Sequence, residues 1–148
     1  MLKVAMPVIG ESSRARRLGT LATRLEATAA NIINDPGQPP AHYAFFMLVR
    51  TTPAWLGLVP KERFAFVDDT IKPILGRNPD VTMRFLDSEA FNSRFTDVVM
   101  WETKSVLAYQ TVVEELRDTP FWGTYFEVVE IVASIENAYA AHYDVTPY

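Results

Sequence analysis

The stretch HYAFFMLVR, residues 42–50, decides how the rest of the chain can fold. It is an almost unbroken apolar and aromatic run of strand length, which is typical of a β-strand buried on both faces. Apolar side chains fall at odd and even positions alike: Tyr43, Phe45, Met47 and Val49 on one face, and Ala44, Phe46 and Leu48 on the other. Both faces of this strand therefore need a cover.

The next segment has the periodicity of a helix. Residues 60–76 repeat apolar side chains at helical spacing. Pro60 suits the first turn of a helix, and Gly76 suits its C-cap. Pro73 lies close to the end of this pattern, so we expect it to kink or shorten the last turn.

Strand and helix patterns then follow in order. Residues 80–87 and 95–102 have strand character and are joined by a polar turn, which predicts a hairpin. Ser105 is a good N-cap for a second helix over residues 106–117. Residues 126–133 predict a fourth strand.

The order β-α-β-β-α-β predicts a ferredoxin-like α+β fold, in which a four-stranded antiparallel sheet carries two helices on one face. Right-handed crossovers place both helices on the same side, so the opposite face of the sheet has no cover within the domain. An apolar face of that size left in water promotes association. We therefore expect a homodimer that packs sheet to sheet.

Length and composition restrict the function. The 148 residues are 49% hydrophobic and 22% charged, which suits one globular domain. The absence of cysteine excludes disulfides, thiolate metal sites and cysteine nucleophiles. A net charge of −4 disfavours nucleic acid as a partner. No segment reaches the roughly 20 apolar residues of a membrane span.

The first 40 residues differ from the rest. They carry a formal charge of +2, whereas residues 41–148 carry −6. Residues 34–40, NDPGQPP, form a Pro-rich linker, so we divide the chain into an extension over 1–40 and a ferredoxin-like domain over 41–148. Residues 18–32 have the pattern of a marginal amphipathic helix, and the Arg-rich head also resembles an organelle transit peptide. A secretory signal is disfavoured, and the expected location is cytoplasmic.

Several unusual strings carry a resemblance to a known family: FMLVRTTPAWL at 46–56, RFLDSE at 84–89, TDVVMWE at 96–102, TPFW at 119–122 and ENAY at 136–139. In this order they resemble the darcynin family of small bacterial proteins. The resemblance spans about residues 42–143 and does not include the head. It implies a fold of the dimeric α/β-barrel kind, and it implies no activity.

Within the superfamily that this resemblance implies, cofactor-independent monooxygenases, polyketide cyclases, small-molecule isomerases and haem enzymes share one scaffold. Two hypotheses for this chain follow. The first is a cofactor-independent enzyme that acts on an aromatic or polyketide-like substrate by proton transfer, cyclisation or oxygenation. The second is a non-catalytic dimer that binds a ligand or a partner.

Arg84 and Asp97 are the catalytic candidates, because an arginine and a carboxylate on neighbouring strands could meet in a partly apolar cavity. There a carboxylate with a raised pKa could act as general base, and Arg84 could stabilise an enolate or bind an anionic substrate. Glu102 and Glu130 lie on nearby strands and could join them. The structural alternative is an ordinary ion pair. A slip of one residue in the hairpin would reverse the face that strand-three side chains occupy.

Four aromatic residues are the candidates for binding a planar substrate: Trp55, Trp101, Trp122 and Tyr125. For Trp101, in the middle of an apolar strand, core packing is the better interpretation. The two histidines, His42 and His142, have no second ligand at metal-binding spacing, so we expect no metal and no cofactor. A haem ligand stays open for a lone histidine. No serine lies in a nucleophile motif, and no phosphate-binding loop occurs.

Overall fold

A computed structural model of the chain describes residues 41–147. Its elements are β1 Tyr43–Thr51, α1 Pro53–Leu56, α2 in the consecutive segments Pro60–Phe66, Val67–Ile71 and Lys72–Arg77, β2 Val81–Asp87, β3 Asp97–Thr103, α3 Val106–Arg117, β4 Phe126–Ile135 and α4 Ala138–His142. The strands form one four-stranded sheet in the order β2-β3-β1-β4. All its pairings are antiparallel, so the predicted ferredoxin-like α+β fold is confirmed. The predictions for the head, including the helix at 18–32 and the linker, lie outside the described residues.

The most apolar strand, β1, occupies the interior of the sheet between β3 and β4. In the register, Phe45 opposes Trp101 on β3, and Trp101 in turn opposes Met83 on β2. The pairing of β1 with β4 shifts between Leu48 and Val49, where β4 bulges by one residue. Because side chains alternate along each strand, the odd-numbered residues of β1, β2 and β3 share one face.

The helices cover that face, which we name the helix-covered face. Its buried strand residues include Phe45, Met47, Val49, Val99 and Trp101, and they pack with helix residues Ile71, Ile74, Tyr109, Val112 and Leu116. The Phe45 and Tyr109 rings stack with their centroids 3.8 Å apart. The core of the described domain therefore lies between the sheet and α2 and α3.

Helix α2 contains a π-helical turn at Val67–Ile71. Pro73 has no backbone N–H and cannot bond the carbonyl four residues before it. Just ahead of it, the Lys72 N–H bonds the Val67 carbonyl, one residue further back than in an α-helix. The helix continues past Pro73, so the expected shortening is wrong, whereas the alternative, a kink, stays a prediction. The helix passes Gly76 and is capped by Asn78, so the predicted C-cap is wrong by two residues.

The opposite face, which we name the open face, is apolar at its centre and charged at its rim. Its centre is formed by Phe46, Leu48, Leu86, Val98, Met100 and Val132. Leu86 and Val132 are 45% and 43% exposed. Ion pairs surround them: Arg50 with Glu127, Arg84 with Glu102, and Arg94 with Glu130. No element of residues 41–147 covers this face.

Among the helices described for residues 41–147, none has both the length and the apolarity that crossing a membrane requires.

Candidate functional site

A cavity of about 540 Å³ lies on the helix-covered face, between the first half of α2 and the end of the sheet. Its apolar wall comes from Trp55, Leu56, Pro60, Phe64, Val67, Phe85 and Phe126. Its polar wall comes from Thr51, Arg63, Asp87, Glu89, Thr96 and Asp97. The volume lies in the range of small-molecule sites, and about half of the lining residues are polar or charged.

Asp97 is the most deeply buried charged group of the cavity, at 4% exposed. It is the first residue of β3, where it opposes Val49 on β1 and Asp87 on β2. One of its oxygens, Oδ2, accepts a hydrogen bond of 2.5 Å from the Thr96 hydroxyl. Burial raises the pKa of Asp97 above its usual range, the Thr96 hydrogen bond opposes that rise, and the charges of Glu89 and Asp87 add to it.

Three carboxylates meet at this end of the cavity. Asp87, Glu89 and Asp97 each place one oxygen within 4.8 Å of the others. None of the three takes part in an ion pair among residues 41–147. Asp87 and Glu89 are exposed, and exposed acidic groups commonly cluster without a cation, so we do not assign a metal site here. The expectation of no metal stays a prediction.

Arg63 carries the positive charge of the cavity wall and was not a candidate from the sequence. Its Nε donates to the Leu58 carbonyl at 3.1 Å, and Nη2 donates to the Leu56 carbonyl at 3.0 Å. The guanidinium carbon lies 5.8 Å from the centre of the Trp55 ring. The position of Arg63 in the first turn of α2, shortly after helix α1 with Trp55, was the signal that could have identified it.

The structure does not bring Arg84 and Asp97 together, so the expected pair is corrected. Arg84 opposes Met100 and lies on the open face, whereas Asp97 lies on the helix-covered face. The Arg84 side chain is 60% exposed and pairs with Glu102 at 3.6 Å. Its Nη2 also donates to the Met100 sulfur at 2.9 Å. Glu130 is likewise on the open face, where Arg94 binds it. Arg84 is at an even-numbered position and Asp97 at an odd-numbered one, so their side chains project from opposite faces of the sheet.

The four candidate aromatic residues divide between wall and core. Trp55 lines the cavity, and Tyr125 packs behind it with ring centroids 5.4 Å apart. Trp101 is fully buried beside Tyr109 and does not line the cavity. Trp122 packs under Arg117, whose guanidinium carbon is 5.8 Å from the ring centre. Only Trp55 of this set could contact a ligand in the cavity directly.

The chain matches the family model described as "Darcynin, domain of unknown function" over residues 27–148. A darcynin homologue of Granulibacter bethesdensis is 48% identical over 99 residues, which cover 66% of this chain and 80% of the relative. One of Streptomyces avermitilis is 46% identical over 103 residues, 69% of this chain and 85% of the relative. The resemblance seen in the sequence is confirmed. Its extent is corrected, because the match begins at residue 27 and includes part of the head.

Solved structures of similar fold have little sequence in common with this chain. A chlorite dismutase from Candidatus Nitrospira defluvii superposes with a TM-score of 0.54 at 10% identity, covering 64% of this chain and 39% of that one. A heme-binding protein from Thermus thermophilus superposes with a TM-score of 0.55 at 15% identity, covering 64% and 40%. This chain thus spans about two fifths of those chains. At such identities the likeness shows the fold alone.

The cavity residues do not fit a haem group. Haem iron is held by His, Cys, Met or Tyr side chains, and none of these lines the cavity. His42 lies at the other end of the sheet, where its Nδ1 is 2.6 Å from Glu136 Oε2. It borders a second cavity of about 390 Å³ whose remaining lining residues are all polar or charged. His142 stacks against Tyr143 on α4. We derive no chemistry through haem.

Proposed function

This chain belongs to the darcynin family, and from that premise we propose that its cavity binds a small aromatic or polyketide-like molecule and that Asp97 transfers a proton to or from it without a cofactor. The observation that carries the proposal is the place of Asp97: a carboxyl group 4% exposed in the wall of a 540 Å³ cavity with aromatic sides. A raised pKa makes a carboxylate a stronger base, which proton abstraction from carbon requires.

Asp97 and Arg63 each have a role in that reaction. The Asp97 carboxylate takes a proton from a carbon next to a carbonyl group, and the electron pair of the C–H bond becomes an enolate. The Arg63 guanidinium stabilises the negative charge that develops on the enolate oxygen. Return of the proton to another carbon would isomerise the molecule, and attack of the enolate carbon on a second carbonyl would cyclise it.

The charges of the cavity favour a neutral or cationic substrate. Three carboxylates face one arginine, so the cavity has an excess of negative charge. Arg84 was expected to bind an anionic substrate, but it lies on the other face of the sheet. The aromatic wall suits a planar ring system, with Trp55 as one side. A hydrogen-bond donor on the ligand would pair with Asp97.

We infer that the protein is a homodimer joined through the open face and that it acts in the cytoplasm. The apolar centre and charged rim of the open face have the composition of a protein interface. Phe46 opposes both Met100 and Val132, so the apolar centre is continuous across three strands. A second copy related by a two-fold axis would cover it with the same apolar residues.

Binding is tested with two probes that share one ring system, 2-naphthol and 2-naphthoate. We expect the full chain to bind the neutral naphthol more tightly, because naphthoate would face the carboxylates. Trp55→Ala should weaken naphthol binding about fivefold, since an aromatic contact contributes roughly 1 kcal/mol. Trp122→Ala is the matched control, because this half-buried tryptophan does not line the cavity. Equal binding of both probes would contradict the proposed charge preference.

Proton transfer is tested by deuterium exchange at the acidic carbon of 2-tetralone, a bicyclic ketone, followed by NMR. The wild-type chain should accelerate exchange, and Asp97→Asn should remove the acceleration while the protein stays folded. Exchange at the rate of buffer alone, together with naphthol binding, would contradict catalysis and leave the non-catalytic binding protein as the function.

A further inference from the structure

Thr96 lies at the junction of three features of the cavity: the hairpin loop, the start of β3 and the end of β1. It is half-buried, and it directly precedes Asp97. Its backbone N–H donates to the Val49 carbonyl at 2.9 Å, which attaches it to β1. Its side chain therefore has a defined place beside the Asp97 carboxyl group.

The hydrogen bonds around the Thr96 hydroxyl determine where its proton points. The Thr51 N–H donates to Thr96 Oγ1 at 2.8 Å, so one lone pair of this oxygen is occupied. Two acceptors remain for the hydroxyl proton: Asp97 Oδ2 at 2.5 Å and the Val49 carbonyl at 3.3 Å. The Val49 carbonyl already accepts the Thr96 N–H. Asp97 therefore offers the shorter contact, and its Oδ2 is the acceptor with fewer hydrogen bonds.

We propose that Thr96 is a positioning residue, whose hydroxyl holds Oδ2 of Asp97 and leaves Oδ1 available to a ligand in the cavity. The relay from the Thr51 amide through the Thr96 hydroxyl to the carboxylate sets the orientation of the group. It also stabilises the ionised form, because a hydrogen bond donated to a carboxylate favours its charged state. The inference rests on the proposed function, since it concerns the group that would transfer the proton.

The first test needs no substitution. In the full chain, the Asp97 carboxyl carbon and the Thr51 amide are followed by NMR while the pH is changed. The relay predicts that the Thr51 amide resonance moves with the titration of Asp97. A Thr51 amide that does not respond to the Asp97 titration would overturn the relay.

The second test removes the hydroxyl. Thr96→Val keeps the shape of the side chain, and Thr96→Ala leaves room for water beside the Thr51 amide. Both should raise the measured pKa of Asp97 by about one pH unit, a tenfold change in its proton affinity. Thr96→Ser should restore the wild-type value, and Thr111→Val, on the exposed side of α3, should not change it. An unchanged Asp97 pKa in the folded Val or Ala variant would overturn the proposal.

A third readout separates this inference from the proposed function. If the wild-type chain catalyses exchange of 2-tetralone, the pH at which the rate is half maximal should follow the Asp97 pKa through the Thr96 series. If the wild-type chain catalyses no exchange, the proposed function fails, whereas the NMR titrations still decide the role of Thr96.

Discussion

The two faces of the sheet place charged residues in opposite environments. On the open face, Arg84 is 60% exposed and its partner Glu102 is nearby at the rim. On the helix-covered face, Asp97 is 4% exposed and has no cationic partner among residues 41–147. The same strands supply both residues, and alternation alone separates them.

The functional candidate is identified by the low exposure of its side chain, and not by its residue type. An exposed ion pair contributes little to stability. A buried carboxylate without a cation has a raised pKa and costs stability, and such a group in a cavity wall is a candidate functional group. We therefore propose assembly for the open face and chemistry for the helix-covered face.

The largest effect is expected in the core of the helix-covered face. Trp101→Ala should lower the free energy of unfolding by about 3–5 kcal/mol, because it removes a fully buried aromatic side chain from beside Phe45 and Tyr109. Urea titration measures the loss. Naphthol affinity of the folded fraction should not change, since Trp101 does not line the cavity. A large affinity loss in folded protein would give Trp101 a binding role after all.

The next largest effect concerns the open face. Val98→Glu places a carboxylate at the apolar centre, opposite Leu48 and Leu86, and should weaken dimerisation at least a hundredfold, because a buried unpaired charge costs about 3 kcal/mol or more. Sedimentation velocity at micromolar concentration measures the dimer. The matched control is Leu107→Glu, an apolar residue 43% exposed on α3. A wild-type monomer, or dimer loss in the control alone, would contradict assembly through the open face.

A small effect is expected for Arg84. Arg84→Met should change the free energy of unfolding by less than about 1 kcal/mol, because exposed ion pairs contribute 0–1 kcal/mol. It should leave naphthol binding unaltered, since the side chain points away from the cavity. Calorimetric titration with naphthol checks this. Loss of binding in a variant that remains dimeric and stable would restore Arg84 to the site.

The fold was predictable because its strongest signals are local. The apolar run at 42–50 indicated the interior strand, and Ser105 with residues 106–117 gave the helix with its observed bounds. The π-helical turn was not predictable from periodicity, since it depends on how the carbonyls before Pro73 find donors. The helix was predicted over 60–76 and is observed over 60–77, so only the shortening at Pro73 and the position of the cap were wrong.

The site was less predictable than the fold. Arg84 and Asp97 were paired as candidates because their predicted strands are neighbours, which does not determine the face of the sheet that each side chain occupies. Only the register between β2 and β3 shows that Asp87, and not Arg84, shares the face of Asp97. Arg63 and Glu89 lie on a helix and a loop that approach the cavity only in three dimensions.

The most direct test of the account is the free energy of unfolding of wild-type protein and Asp97→Asn as a function of pH. The pKa of Asp97 is raised in the folded state, so its protonated form contributes stability that is complete below the ordinary value of 3.8 and is lost as the pH rises through the folded value. The account predicts that Asp97→Asn is more stable than wild type by about 1 kcal/mol at pH 7. The difference should disappear at pH 3. Asp80→Asn, an exposed carboxyl, is the control. A variant that is less stable than wild type at pH 7, with unaltered naphthol affinity, would show that Asp97 is a structural anion and would contradict the account.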